Sequence, residues 1–171
     1  MNILYLHGLE SKPGGEKVSW LSSVASVYAP AMDHTDEDCL QKVMFHHMIT
    51  SGQIDLIIGS SMGGYIADLI HKKFDIPAIL FNPALHSRSI EPAVPFAEYF
   101  VDEGDTASEV MVILGRDDKV IDPNKTIELL EESKGNYRYM FFEAMAHQTP
   151  LHIFMSIVRM YADQLTYKKL Y

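Results

Sequence analysis

Residues 54–63 read Ile-Asp-Leu-Ile-Ile-Gly-Ser-Ser-Met-Gly and carry the strongest structural signal in the chain. The apolar run at 54–58 predicts a buried strand, and the apolar residues from Met62 onward recur with the spacing of one helix face. Residues 59–63 match G-x-S-x-G, a sharp strand-to-helix turn that presents its middle serine at the end of a sheet. The glycines beside Ser61 let strand and helix pass close together. This context predicts a nucleophile elbow at Ser61, although an ordinary glycine-rich turn can have the same pattern.

Short apolar runs alternate with helical patterns along the rest of the chain. The runs are continuous, which is typical of strands buried on both faces. The alternation predicts a doubly wound three-layer α/β sandwich, with a mostly parallel sheet of about six strands. The predicted strands cover residues 3–6, 27–29, 54–58, 78–81, 110–114 and 137–142. The predicted helices cover residues 17–26, 36–49, 62–73 and 122–133, and a C-terminal segment from residue 151.

Two of these helices have specific sequence features. The helix at 17–26 is expected to bury Trp20, Leu21 and Val24, which share one face. The helix at 122–133 is expected to begin with Asp122 as its N-cap and Pro123 at its first position, where each residue type is favoured.

The 171 residues suffice for one domain with a substantial core, so we expect a single domain over residues 1–171. Residues 82–109 contain three prolines and little periodicity, and we expect a short cap-like insertion there. Within it, Phe96, Tyr99 and Phe100 are candidates for lining an acyl pocket, although aromatic clusters more often serve plain packing.

Charge and cysteine content restrict the partners. The net charge of −9 argues against nucleic acids and anionic membranes. Cys39 is the only cysteine, so there is no intramolecular disulfide framework, and we expect a buried, unreactive thiol. The chain begins without a signal-peptide pattern, and no stretch approaches the roughly 18 apolar residues of a membrane span. We therefore expect a cytoplasmic protein without a membrane span; its oligomeric state stays open.

Two further strand ends carry the residue types that a nucleophilic serine needs. A histidine must take the serine proton, and a carboxylate must orient that histidine. Asp117 and Asp118 follow the strand at 110–114, and His147 follows the strand at 137–142. The chain order Ser, Asp, His is that of α/β-hydrolases. The reaction also needs two N–H donors for an oxyanion: one from Met62, directly after Ser61, and one from the loop after the first strand.

The other histidines have no spacing typical of metal ligands. We expect His7 to order the first glycine turn and His71 to lie at an exposed helix end. His46 and His47 are adjacent, so they cannot form the i, i+4 pair of a helical metal site. We expect no metal and no cofactor.

Several segments, spread over nearly the whole chain, resemble a family of small α/β-hydrolases, the bacterial YqiA-like esterases. The matching segments are residues 4–11 (LYLHGLES), 59–65 (GSSMGGY), 81–84 (FNPA), 118–122 (DKVID) and 146–147 (AH). The resemblance implies an esterase or thioesterase that acts on acyl substrates, and of these we expect a carboxylic ester hydrolase with a small-molecule substrate. It also implies Ser61 as the nucleophile and His147 as the general base.

The same resemblance selects among the remaining candidates. The family's G-x-x-D-x-V pattern favours Asp118 over Asp117 as the triad acid and leaves room for Asp117 to substitute in part. The residue after His-Gly, here Leu9, would be the second oxyanion donor beside Met62. One departure is Ala144, which stands where the family has a glycine before the histidine.

Other functions stay open at this point. An acyl thioesterase or a peptidase of the same fold would use the same three side chains. A non-catalytic binding module on a hydrolase scaffold would have no need of all three.

Overall fold

The computed structural model of the protein describes residues 1–95 and 106–170, and side chains up to residue 167. Its core is one six-stranded sheet with the order β2-β1-β3-β4-β5-β6, in which all five strand pairings are parallel. The strands are β1 (Asn2–Leu6), β2 (Ser26–Tyr28), β3 (Leu56–Ser60), β4 (Ala78–Phe81), β5 (Val110–Gly115) and β6 (Tyr137–Phe142). The predicted α/β fold with a parallel sheet is confirmed.

Helices cover both faces of this sheet. They are α1 (Gly15–Val24), α2 (Glu37–Met44), α3 (His47–Thr50), α4 (Met62–Phe74), α5 (Pro123–Glu132) and α6 (Leu151–Leu170). Within the described residues, no helix is both long and apolar enough to cross a membrane.

The side chains of each central strand divide between two cores. Along β1, Leu4 and Leu6 join the cluster under α2, α3, α4 and α5, whereas Ile3 and Tyr5 join the cluster under α1 and α6. Alternate residues of a strand point to opposite faces of a sheet. The continuous apolar runs of the sequence therefore fill two cores at once, and the molecule has three layers.

Two local predictions were wrong. The expected single helix at 36–49 is broken into α2 and α3, because the His46 side chain caps a new helix by accepting a hydrogen bond from the Met48 N–H, at 3.3 Å. Val24, expected in the core, is 57% exposed at the end of α1, and Val18 packs against the core instead. The start of α5 is as predicted: the Asp122 carboxylate accepts a hydrogen bond from the Asn124 N–H.

Strand β3 and helix α4 approach each other more closely than any side chain would allow. A Cβ atom built on Gly59 would lie 2.5 Å from the Gly63 carbonyl oxygen and 2.7 Å from both the Ala67 Cβ and the Gly64 Cα. A Cβ on Gly63 would collide with the carbonyl oxygens of Leu6 and His7 on the neighbouring strand end. The glycines are thus required for packing at this crossing.

We predict that Gly59→Ala lowers the free energy of unfolding by at least about 3 kcal/mol, because the atoms in the way are mostly backbone and cannot yield. Urea unfolding measures this loss. The control is Gly52→Ala, which meets open space at a φ of 69° and is expected to lose about 1 kcal/mol through backbone strain alone. Equal losses in the two variants would contradict the close crossing.

Candidate active site

Ser61 stands at the turn between β3 and α4 in a backbone conformation that side chains rarely adopt. Its φ is 53° and its ψ is −119°. Such a conformation costs on the order of 1–3 kcal/mol and persists only where the surroundings hold it. Here the Ser61 N–H donates to the Phe81 carbonyl at 3.0 Å, and the Ser61 carbonyl accepts from the N–H groups of Gly64, at 2.9 Å, and Ala84, at 3.0 Å. The turn therefore has the strained geometry of a nucleophile elbow.

A continuous chain of hydrogen bonds joins Ser61, His147 and Asp118. The Ser61 Oγ lies 2.9 Å from the His147 Nε2, and the His147 Nδ1 lies 2.8 Å from the Asp118 Oδ2. A carboxylate accepts only, so the His147 ring carries its proton on Nδ1 when neutral. The Nε2 lone pair is then directed at the serine hydroxyl. The three side chains come from the ends of β3, β5 and β6, which one parallel sheet brings to the same edge.

The two adjacent aspartates, Asp117 and Asp118, differ in exposure and in hydrogen bonding. The Asp118 side chain is 1% exposed, and its other oxygen, Oδ1, accepts the N–H groups of Val120 at 2.8 Å and Ile121 at 3.0 Å. Asp117 is exposed, and its backbone N–H donates to the Met145 carbonyl. Only Asp118 of the pair is hydrogen-bonded to His147.

The pKa of the Asp118 carboxyl is below its ordinary value. Burial alone would raise it, but the hydrogen bonds from His147 and from the N–H groups of Ile121 and Val120, with a smaller attraction to the imidazole charge, outweigh burial. The carboxyl is therefore ionised at neutral pH. It is in the correct state to hold the Nδ1–H of His147.

The loop that carries His147 follows β6. Met145 anchors it, with a fully buried side chain, whereas Ala144 is exposed. Ala144 is not among the described non-glycine residues with a positive φ, so an alanine fits where the resembling family has a glycine. The His147 side chain is 23% exposed and accessible to a ligand.

The loop after β1 lies directly against Ser61. A Cβ on Gly8 would be 3.3 Å from the Ser61 Cβ, a tight contact, and 3.8 Å from its Oγ, an ordinary one, so the loop backbone packs closely on the serine. Leu9 follows Gly8 in this loop. Met62 is the first residue of α4, where N–H groups have no acceptor within the helix. That Leu9 and Met62 donate to an oxyanion stays a prediction.

His7 and a second histidine, His34, support the same loop. The His7 Nε2 accepts the Met32 N–H at 3.1 Å, so its Nδ1 carries the proton and donates to the Gly8 carbonyl at 2.8 Å. This is the ordering role expected for His7. The buried His34 ring packs edge-on against His7, and burial, with a smaller repulsion from His7, lowers the pKa of His34 to about 4. His34 is therefore neutral at pH 7.

The expectation for His71 was wrong. Its ring is fully buried, and it bonds to the Ile76 carbonyl at 2.8 Å and to the Thr106 hydroxyl at 3.0 Å. The expectation rested on the place of His71 near the end of α4, but Thr106 and Ser108, which precede β5, lie against this end of the helix. Among residues 1–95 and 106–167, no group of three His, Cys, Asp or Glu side chains is placed to hold a metal ion.

Two other predictions concern residues outside the hydrogen-bonded three. Cys39, expected to be buried, is only half-buried, and its sulfur accepts the Asp33 N–H at 3.3 Å. That its thiol is unreactive stays a prediction. Phe96, Tyr99 and Phe100 lie outside the described residues.

One residue of the site was missed from the sequence. Asn82 is 1% exposed, and its side chain contacts the backbone of the loop that carries His147. The available signal was its position, directly after the carboxyl end of β4 and before a proline. Its segment was noted for the resemblance, but no role was assigned to it.

An all-parallel sheet with a strained serine turn after its central strand defines the α/β-hydrolase fold. Two solved structures agree on the fold. Ferulic acid-bound Est1E from Butyrivibrio proteoclasticus has a TM-score of 0.73 at 14% identity and covers 97% of this chain and 89% of its own. The monoacylglycerol lipase of Paleococcus ferrophilus has a TM-score of 0.70 at 15% identity and covers 96% of this chain and 93% of its own.

The chain belongs to the uncharacterised protein family UPF0227, whose model matches residues 2–94. A UPF0227 protein of Klebsiella pneumoniae (strain 342) is 26% identical over 164 residues, which cover 85% of this chain and 89% of that protein. A UPF0227 protein of Vibrio cholerae serotype O1 (strain El Tor Inaba N16961) is 27% identical over 173 residues, and the match covers 91% of this chain and 92% of that protein. The match to these relatives extends along most of the chain.

We predict that Asp118→Asn destabilises the fold in a pH-dependent way. A carboxyl whose pKa is lowered by folding contributes stability that is complete above its ordinary pKa of about 4 and is lost as the pH falls through the folded value. The gap in free energy of unfolding between wild type and Asp118→Asn is therefore widest at pH 7 and narrows toward pH 3. Urea unfolding across this range measures the gap.

Asp117→Asn is the matched control, because the neighbouring carboxylate is exposed. It is expected to change the free energy of unfolding by less than about 0.5 kcal/mol throughout. If the difference in free energy of unfolding between wild type and Asp118→Asn stays constant from pH 7 to pH 3, the lowered pKa of the Asp118 carboxyl is not its cause.

Proposed function

We propose that this protein is a serine hydrolase that cleaves carboxylic esters of small acyl substrates. The observation that carries the proposal is the hydrogen-bonded chain from the Ser61 Oγ through the His147 ring to the Asp118 carboxylate. A base in contact with a hydroxyl, itself oriented by a carboxylate, is the arrangement that activates a serine. The strained turn at Ser61 supports the same conclusion.

In the first half of the proposed reaction, the Ser61 Oγ attacks the ester carbonyl carbon while its proton passes to the His147 Nε2. The carbonyl oxygen becomes an oxyanion, which the N–H groups of Leu9 and Met62 stabilise. His147 then gives its proton to the leaving alcohol oxygen as the carbon–oxygen bond breaks. The acyl group remains on Ser61.

In the second half, a water molecule attacks the acyl carbon and transfers its proton to the His147 Nε2. The proton returns to the Ser61 Oγ as the carboxylic acid leaves. Throughout both halves, Asp118 holds the Nδ1–H of His147 and stabilises the imidazolium that forms twice in each cycle.

The likeness in fold to an esterase and a lipase supports the choice of an ester substrate. The same three side chains can also cleave an acyl thioester or an amide, so thioesterase and peptidase activity are the alternatives within this fold. A binding module that keeps the hydrolase scaffold but does not catalyse is the remaining alternative, and the intact hydrogen-bonded chain argues against that choice.

The proposal also covers the domain organisation, the cellular location and the cofactor requirement. We propose one domain over residues 1–171 with a short cap-like insertion around 82–109, of which residues 96–105 lie outside those that the structure describes. The single cysteine, which leaves no intramolecular disulfide, suits a reducing cytoplasm. The proposed reaction needs no cofactor, because the protein supplies the nucleophile, the base and the oxyanion donors.

We predict that a fluorescent fluorophosphonate labels the wild type and fails to label Ser61→Ala and His147→Ala. For an activated ester such as p-nitrophenyl acetate, kcat/KM should fall about 10³-fold or more in both variants, because residues of a triad act as a unit. The matched controls are Ser60→Ala, at the adjacent serine, and His152→Ala, at an exposed histidine of α6. Full labelling of folded Ser61→Ala would contradict the proposal that Ser61 is the nucleophile.

We predict a large difference in kcat between the variants of the two adjacent aspartates. Asp118→Asn should lower kcat about 10²- to 10⁴-fold, because an amide donor facing the His147 Nδ1 favours the wrong tautomer. Asp117→Asn should stay within about twofold of wild type, since its side chain is exposed. Kinetics on the double variant measure whether Asp117 substitutes in part. Comparable losses in the two single variants would contradict the assignment of Asp118.

A further inference from the structure

The chain that leaves β4 is in contact with the backbone of the serine turn. We call residues 81–84 (Phe-Asn-Pro-Ala) the β4 exit segment. Its first residue accepts the Ser61 N–H at the Phe81 carbonyl, and its last residue donates the Ala84 N–H to the Ser61 carbonyl, both at 3.0 Å. Between them, Pro83 packs so closely on Gly64 that a Cβ there would lie 2.8 Å from the proline Cβ. The segment therefore clamps the strained turn on both sides.

The Asn82 side chain reaches in the other direction, toward the loop that carries the histidine. Its Nδ2 donates to the Ala146 carbonyl at 3.0 Å and to the His147 carbonyl at 2.8 Å. Its Oδ1 accepts the Gly115 N–H at 2.7 Å. Two carbonyls on one side and an N–H on the other determine which way the amide points. Both amide protons and the amide oxygen are thus used inside the protein.

Asn82 also has an unusual backbone. Its φ is 43°, and its own N–H donates to the Ile113 carbonyl of β5 at 2.8 Å. Asparagine is among the non-glycine residues that tolerate this left-handed region. The conformation turns the chain away from β4 and leaves the amide between the end of β5 and the histidine loop.

These contacts meet at the junction of the three segments that carry Ser61, Asp118 and His147. The histidine loop lies so tightly on β5 that a Cβ on Gly115 would be 2.8 Å from the Ala146 carbonyl oxygen and would collide with that of Met145. Strand β6, which leads into this loop, is an edge strand with no fully buried residue. Besides the buried Met145 side chain, the loop is therefore held by its contacts with β5 and with the Asn82 amide.

We propose that Asn82 is a positioning residue that holds the His147 backbone against β5 and so keeps the imidazole aligned between Ser61 and Asp118. The inference rests on the proposed function for its catalytic consequence. Asn82 is not an oxyanion donor, because both of its amide protons are already bound by carbonyls of the histidine loop. It acts through His147.

Loss of the Asn82 hydrogen bonds to the histidine loop is expected to lower the rate of the reaction. Displacement of a reacting group by about 1 Å costs on the order of 10²-fold in rate, because the reaction requires near-attack geometry. Substrate binding does not involve the buried amide. Loss of Asn82 therefore lowers kcat and leaves KM nearly unchanged.

The test compares two variants with wild type. Asn82→Gly tolerates the positive φ and removes all three side-chain hydrogen bonds. Asn82→Asp keeps the size and the acceptor for Gly115, and at pH 8 it replaces both donors by a carboxylate oxygen facing two carbonyls. If one variant fails to fold, the other still decides the question. Both are expected to lower kcat for p-nitrophenyl acetate about 10- to 100-fold, with KM within about threefold.

Tyr161→Phe is the matched control for a purely structural effect. Its hydroxyl makes a buried hydrogen bond to the Glu109 carbonyl at 2.6 Å, just before the first residue of β5, whereas the site lies beyond the last residue of that strand. This variant also loses a buried hydrogen bond to a backbone carbonyl, but its kcat should stay within twofold of wild type. Urea unfolding of all variants verifies that activity is measured on folded protein.

A second readout does not depend on activity. The proton between the His147 Nδ1 and the Asp118 Oδ2 should give a strongly deshielded NMR resonance that His147→Ala lacks. We expect it in wild type and in Tyr161→Phe, and we expect it to be lost or broadened in both Asn82 variants. If the wild type shows the resonance but cleaves no ester, and both Asn82 variants lose the resonance, the positioning role is supported and the proposed function is refuted. Wild-type kcat and an intact resonance in folded Asn82 variants would overturn the inference, as would a kcat loss that Tyr161→Phe reproduces.

Discussion

The crossing of β3 by α4 is the constraint on which the rest of the site depends. Two glycines, Gly59 and Gly63, bring backbone against backbone at this crossing. Between them, Ser61 is held at a positive φ in the turn that ends β3 and begins α4. The energy of that strain is offset by apolar burial around the crossing and by hydrogen bonds from the β4 exit segment.

The parallel sheet converts this local turn into a site. All strands run in the same direction, so the segments after β3, β5 and β6 meet at one edge although they are distant in the chain. Strand β4 lies between β3 and β5, and its exit segment contacts the serine turn by backbone and the histidine loop by the Asn82 amide. The Asp118 side chain is buried, which alone would raise the pKa of its carboxyl, but hydrogen bonds from His147 and from two backbone N–H groups lower that pKa and keep the carboxylate ionised at neutral pH.

Much of the fold was predictable because its signals are local. Strand β4 and strand β6 begin and end where the apolar runs predict, and α5 begins at its Asp122 cap. The errors have two different causes. His46 caps the Met48 N–H, two residues further on, and this local contact interrupts a helical period that the apolar residues continue. The buried His71 ring bonds to Thr106, 35 residues away, and no short window of sequence shows that contact.

The sequence by itself determined the strand–helix alternation, the glycines of the elbow and the order of Ser61, Asp118 and His147, because periodicity, residue size and chain order are properties of short stretches. Only the tertiary structure decided which of two adjacent aspartates meets the histidine, that the three side chains lie within hydrogen-bond distance, and that Asn82 joins their supports. These outcomes depend on distances of about 3 Å between segments far apart in the chain. Packing of the whole sheet sets such distances.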